Sequence, residues 1–182
     1  MLALLNFIGY EAVWFTAVIG AGAGWNYPGV VAAAVFATVQ LSVSRMWSAD
    51  LQLAGAALLV GMLADGLLAH SHLLRYAAAS TALPPGGAPV WILSLWVAFA
   101  LTLNHSLKWV VQRPPLAICL GVCGGPLAYL AAARVAAAVQ FSPPAWRALA
   151  ILAAQWAAAM ALFCILHRLQ ARAPAQHAAV AP

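Results

Sequence analysis

Apolar stretches of 17 to 21 residues recur along the chain, separated by short clusters of charge, proline and glycine. A helix that crosses ~30 Å of hydrocarbon needs about 20 mostly apolar residues. Six stretches meet or approach that length, at residues 2–22, 28–44, 51–69, 90–107, 115–134 and 146–166. The breaks between them carry turn chemistry: Pro28 after residues 23–27, Arg45 to Asp50, Pro84-Pro85-Gly86-Gly87 within residues 70–89, Lys108 to Pro114, and Pro143-Pro144. The pattern predicts an all-α integral membrane protein, a compact bundle of about six transmembrane helices in a single domain over residues 1–167. The second span is the shortest. Residues 168–182 are rich in Ala, Pro and Gln and are expected to form a disordered cytoplasmic tail.

Composition agrees. Hydrophobic residues make up 66% of the chain and charged residues 6%, with a mean hydropathy of +0.95. Eight Lys/Arg and three Asp/Glu cannot cover the surface of a water-soluble fold this size. The first stretch lacks a basic leader and is interrupted by Asn6 and Glu11. It is therefore expected to stay as a helix, although Ala21-Gly22-Ala23 has the small-residue pattern of a cleavage site.

With six spans, Arg45, Lys108, Arg113, Arg168 and Arg172 fall on the side of the N-terminus, and Arg75, Arg134 and Arg147 on the other. The positive-inside tendency then places both termini in the cytoplasm. The net charge of +5 is spread singly between spans, with no basic patch or reader motif, so no nucleic-acid partner is expected. Membrane lipids are the expected partners, with other membrane proteins or a second copy of the chain as further options. Several tryptophans near span ends read as interfacial anchors.

Candidate chemistry is sparse. Cys119 and Cys123 lie four apart on one helix face, and Cys164 stands alone. They read as packing residues, and neither they nor His70 and His72 define a metal site. No cofactor is expected.

The polar residues inside the spans are more informative. An ionisable group in hydrocarbon costs at least ~2.5–3.5 kcal/mol, so such groups usually face the bundle interior and have partners. Glu11 lies ~13 Å from its helix start, near mid-membrane, with no cationic partner at that depth. Asp65 lies ~20 Å along the third span. Arg134 closes the fifth span at a similar level, which allows an Asp65–Arg134 pair with His70, His72 and Tyr76 nearby. On the other half, Asn6, Thr102, Asn104 and His105 share a depth suited to interhelical hydrogen bonds. Gly124-Gly125-Pro126 is expected to break the fifth span at mid-membrane, where freed backbone groups must be buried or line a polar cavity. Interhelical packing, with Gly121 and Gly125 allowing close approach, is the weightier reading for most of these residues. For Glu11, function and structure weigh equally.

The runs Asn6-Phe7-Ile8-Gly9-Tyr10-Glu11, Trp91-Ile92-Leu93-Ser94-Leu95-Trp96, Leu103-Asn104-His105 and Gly124-Gly125-Pro126-Leu127-Ala128-Tyr129 carry a resemblance. The chain up to His167 resembles a family of small, mainly proteobacterial inner-membrane proteins catalogued as a domain of unknown function. The resemblance implies a bacterial inner membrane. Because members are often encoded near enzymes similar to cyclopropane-fatty-acid synthases, it also implies a link to membrane lipid modification. It implies no catalytic residues.

Three functions fit these readings: a non-enzymatic membrane component or accessory factor that binds lipid or another membrane protein; a small, dimeric transporter using the midplane carboxylate and the broken helix; and an intramembrane lipid-modifying enzyme using Asp65, His70 or His72. The absence of a catalytic motif favours the first.

Overall fold

The structure, a computed structural model, describes residues 2–179. Its helices are α1 (Leu2–Gly22), α2 (Pro28–Val43), α3 (Trp47–His70), α4 (Val90–Leu103), the short α5 (Lys108–Val111), α6 (Pro114–Ala136) and α7 (Trp146–Ala179). Four segments are long and apolar enough to cross a membrane: Leu2–Gly22, Trp47–His70, Pro114–Ala136 and Trp146–Arg172. Two shorter apolar helices, Pro28–Val43 and Val90–Leu103, lie among them.

Successive helices reverse direction. Asn6 near the start of α1 reaches Gln40 near the end of α2, and Asp50 at the start of α3 reaches Asn104 just past α4. His167, late in α7, reaches that same Asn104. These contacts gather one end of the bundle, called here the near end. The far end is tied by β1 (Leu74–Tyr76) pairing antiparallel with β4 (Val139–Phe141), and by the small hairpin of β2 (Ala82–Leu83) and β3 (Ala88–Pro89). Residues 70–89, expected as a plain loop, therefore hold part of the lid over this end.

α4 is the central helix. It is hydrophobic all round, as expected of an enclosed helix, and it buries Trp91, Ile92, Leu93, Trp96, Ala98, Ala100, Leu101 and Leu103 among α1, α2 and α3. The outer helices reverse the soluble pattern. Val31, Val35, Val39 and Val43 form an exposed stripe on α2, as do Leu59, Leu63 and Leu67 on α3. In water such surfaces would drive aggregation; in lipid they are solvated. Exposed aromatics mark both ends, Trp47 and Trp109 at the near end and Trp25, Tyr27 and Trp146 at the far end, as an interfacial belt requires.

Three boundaries differ from the sequence reading. α3 begins at Trp47, so Asp50 sits in its first turn, where the helix N-terminus favours a carboxylate. α4 stops at Leu103, and the peptide N–H groups of His105 and Leu107 both bond to the Thr102 carbonyl in a tight turn. α7 continues through residues 168–179, where a disordered tail was expected; residues 180–182 lie outside the described part. Gln170 anchors the extension by donating from Nε2 to the Ala49 carbonyl at 3.0 Å.

The expected break at Gly125-Pro126 is absent, because α6 runs unbroken through Pro126. Its glycines serve contact with α7 instead. A Cβ on Gly121 would lie 2.8 Å from the Trp156 carbonyl oxygen, and one on Gly125 2.2 Å from Trp156 Cδ1. The close packing of α7 on this face holds the helix together across the proline.

Candidate functional site

Two polar centres stand out inside the bundle. The first, near the far end, is Asp65 on α3, which is fully buried. Its carboxylate accepts hydrogen bonds from Tyr76 Oη at 2.8 Å, from Trp96 Nε1 at 2.6 Å and from Tyr129 Oη. Three neutral donors from β1, α4 and α6 thus converge on one acidic group. The Trp96 indole is stacked on Trp156 with ring centroids 4.5 Å apart and an interplanar angle of 16°. Gly61 and Gly125 make room for this pair: a Cβ on Gly61 would lie 2.4 Å from Trp96 Cδ1. The centre is sealed by packing, and its chemistry is that of an internal brace.

Arg134 takes no part in it. The guanidinium is exposed and makes no ion pair among the described residues. The expected Asp65–Arg134 pair fails because Arg134 lies five residues beyond Tyr129, about 140° further around the same helix at ~100° per residue. When Tyr129 faces Asp65, Arg134 cannot. His70 and His72 are also exposed. His72 occupies a left-handed conformation, φ 57°, and its carbonyl accepts from Ser142 Oγ at 2.5 Å. Tyr76, at the far-end lid, has its phenol held well above the usual tyrosine range, first by burial and then by the adjoining Asp65 carboxyl group.

The second centre occupies the near end. Asp50, also fully buried, accepts from Ser44 Oγ at 2.6 Å and Asn104 Nδ2 at 2.9 Å, and pairs with His105 Nε2 at 2.9 Å. His167 Nδ1 donates to Asn104 Oδ1 at 2.9 Å, extending the network to α7. Beside it, Asn6 donates to Gln40 Oε1 at 2.8 Å and to the Leu101 carbonyl at 3.1 Å, while its own Oδ1 accepts from Ser106 Oγ at 2.6 Å. The structure therefore brings Asn6, Asn104 and His105 to one end, as their depths suggest. Asp50, Ser44, Gln40 and His167 were missed by sequence reasoning. Asp50 looked like part of a loop, and the signal that could have found it was an acidic residue in the first turn of an apolar helix.

This centre closes one end of a groove of about 930 Å³ between α1 and α2. Apolar and small side chains line its length, among them Gly9, Ala12, Val13, Val35, Phe36 and Val39, and its polar end is formed by Ser44, Arg45, Asn104 and His105. At the other end the helices meet closely: a Cβ on Gly29 would lie 2.5 Å from Ala17 Cβ, and one on Gly20 2.9 Å from Pro28 Cγ. This contact stops the groove beyond Thr16 and Ala32. A second, smaller cleft of about 50 Å³ opens beside Tyr10, Trp14, Trp91 and Tyr129.

Glu11 belongs to neither centre. It is partly exposed on α1 beside the exposed Phe7, Ile8 and Phe15, and among the described residues it makes no hydrogen bond or ion pair. The expectation that it faces the interior is not met: the buried face of α1 runs through Asn6, Val13, Ala17, Val18, Gly20 and Ala21, and Glu11 lies at its edge, about 140° from Asn6 and close in azimuth to Val18 at ~100° per residue, with its side chain partly exposed. Cys119 and Cys123 are likewise exposed, and Cys164 is buried.

An apolar exterior, two aromatic girdles and polar groups paired inside define a helical protein of the membrane type. No curated protein and no solved structure matches the chain. The chain belongs to the family described as protein of unknown function (DUF2878), whose sequence model matches residues 3–162 and so covers both polar centres apart from His167.

Proposed function

We propose that this is a multi-pass membrane protein of about six spans, in a bacterial inner membrane, that holds a membrane lipid in the α1–α2 groove as a non-enzymatic component or accessory factor. The observation that carries the reading is the groove itself: mostly apolar along its length, closed at one end by helix contact, with its polar groups concentrated at the near end. Its volume of about 930 Å³ lies at the upper end of the ~300–1,000 Å³ typical of small-molecule sites. From Leu2 to Thr16 it follows ~21 Å of helix, enough for an acyl chain reaching from the interface past one leaflet of a ~30 Å core.

Short α2 and α4 cross as part of the bundle, since reversal at both ends requires it. Their 16 and 14 residues span ~24 and ~21 Å, with the near-end turn and the far-end hairpin completing the thickness. Five basic residues at the near end against three at the far end support cytoplasmic termini. Against the permease alternative stand the unbroken course of α6 through Pro126 and the lack of any interior partner for Glu11 among the described residues. The enzyme alternative has lost the grouping of Asp65 with His70 and His72. The accessory reading agrees with the link to lipid modification that the family resemblance implies.

The test is lipid retention. Purified protein, washed in mild detergent and examined by native mass spectrometry, is expected to keep one bound phospholipid. Ala12→Trp, which fills the groove from the lipid side, is expected to lose it while keeping the wild-type melting curve. Equal retention in the filled variant would refute the assignment.

A further inference from the structure

The near end of the groove has an electrostatic character that follows from a complete tally of acidic side chains. The chain has three. Asp65 is sealed at the far end by Tyr76, Trp96 and Tyr129. Glu11 lies on a different stripe of α1 and does not line the groove. Asp50 borders the polar end, but its side chain is 0% exposed and its oxygens are occupied by Ser44, Asn104 and His105. No side-chain carboxylate is therefore open to a ligand at the groove mouth.

Cationic and hydrogen-bonding groups are open there. Arg45 is exposed and lines the mouth. His105 is 20% exposed and lines it too. Its Nε2 is held by Asp50, which fixes the ring and leaves Nδ1 without a partner among the described residues. Beyond the mouth, the same end carries Lys108, Arg113, Arg168 and Arg172, all exposed. A guanidinium matches phosphate oxygens with two parallel donors, and the fixed imidazole offers Nδ1 as an acceptor for a headgroup hydroxyl. An ammonium headgroup would find no acceptor of opposite charge, because Asp50 is already enclosed.

Resting on the lipid-holding function proposed above, we infer that the groove selects an anionic glycerophospholipid, its phosphate seated on Arg45, its headgroup beside His105 and its acyl chain lying between α1 and α2. The cytoplasmic leaflet is where such lipids attract basic segments, at ~1 kcal/mol per Lys or Arg near the surface, which corresponds to about a fivefold preference. Arg45 supplies most of the discrimination and His105 positions the headgroup.

The experiment equilibrates the purified full chain with mixed micelles of phosphatidylglycerol and phosphatidylcholine in equal amounts, then reads the retained lipid by native mass spectrometry. Wild type is expected to retain phosphatidylglycerol over phosphatidylcholine by about fivefold, the ratio that one basic residue near an anionic headgroup supplies. Arg45→Gln is expected to abolish the preference, and His105→Gln to reduce it in part. Ala12→Trp should lose both lipids together. Equal retention of the two lipids by wild type, or an unchanged preference in Arg45→Gln, overturns the headgroup assignment while leaving the lipid-holding function standing. Retention of no lipid by wild type overturns both. Because Arg45 is exposed and outside the Asp50 network, its variant is expected to fold, and an unchanged melting temperature checks this.

Discussion

Adjacent glycines in α6 should respond to alanine with opposite signs. Gly125 faces Trp156, and a Cβ there would lie 2.2 Å from Cδ1 and 2.3 Å from Cγ of the indole. Ordinary contact begins near 3.4 Å, so the ring must retreat by roughly 1 Å in a core already packed to near-crystalline density. Retreat is obstructed, because Trp156 is stacked on Trp96 at 4.5 Å and Trp96 is in turn held by Asp65 and by the close approach of Gly61. Overpacking of this kind costs ~1–3 kcal/mol, and a rigid ring confined by its neighbours places it in the upper half. Replacing a helical glycine by alanine returns up to ~1 kcal/mol of propensity. The net expectation for Gly125→Ala is a loss of ~1–2 kcal/mol. At Gly124 a Cβ meets nothing within 4 Å, so Gly124→Ala keeps the propensity gain without a clash. The two variants should differ by ~2–3 kcal/mol in reversible unfolding of the detergent-solubilised protein by sodium dodecyl sulfate. Trp156→Ala supplies the cycle: in that background the cost of Gly125→Ala should vanish, since the Cγ and Cδ1 atoms it strikes are gone. Equal effects at the two glycines, or a cost that persists without the indole, would refute the account of how α6 and α7 pack.

Tyr129→Phe removes one of the three bonds to Asp65; the expected loss, ~1–2 kcal/mol by the same unfolding assay, lies between the ~0.6 kcal/mol average for interhelical bonds in a membrane protein and the ~3 kcal/mol of a bond to a charged group. Glu11→Gln should leave stability unchanged or raise it, because the carboxylate has no partner to lose; a loss above ~2 kcal/mol would show a buried partnership. Tyr76 carries a pH signature: its folded pKa is raised above the unfolded value near 10, so its contribution is fully present below about pH 10 and is lost as pH rises beyond it. Wild type should therefore lose stability above pH ~10 more steeply than Tyr76→Phe, and parallel alkaline melting curves for the two would contradict this.

What the sequence made legible was depth, and what it left hidden was direction around each helix axis. Hydropathy and turn residues locate the apolar segments to within a few residues, because the transfer energy of a ~20-residue run is large and additive along the chain. Depth also placed Asn6, Asn104 and His105 at one end and Asp65 near Tyr76. The misassigned features turn on rotation or on local packing. Arg134 has the right depth for Asp65, but Tyr129 occupies the facing side of the same helix. Glu11 has the depth of an interior group but sits at the edge of the buried face of α1, beside the exposed Phe7, Ile8 and Phe15. Pro126 was read as a break because its missing donor is a local cost, whereas the flush contact of Gly121 and Gly125 with Trp156 is a tertiary gain on the same turns. In lipid the hydrophobic pattern loses the contrast that orients a helix in water, since outward and inward faces are both apolar. The residues that retain directional information are the smallest ones and the polar ones.

That limitation bears on where function can reside in such a chain. The two buried carboxylates are both fully bonded, yet their surroundings differ in kind. Around Asp65 every donor is itself enclosed by aromatic packing, so the bonds serve to register α3, α4, α6 and the far-end lid against one another. Around Asp50 the partner His105 keeps one edge in the groove, and Arg45 stands open beside it. A perturbation at Asp65 should therefore register in stability and leave the relative affinity for different lipids unchanged. A perturbation at the groove mouth should do the reverse. The separation is testable within one set of purified variants: if Tyr129→Phe changed the ratio of retained lipids as much as Arg45→Gln does, the two centres would be coupled and the near end would not be an independent binding site.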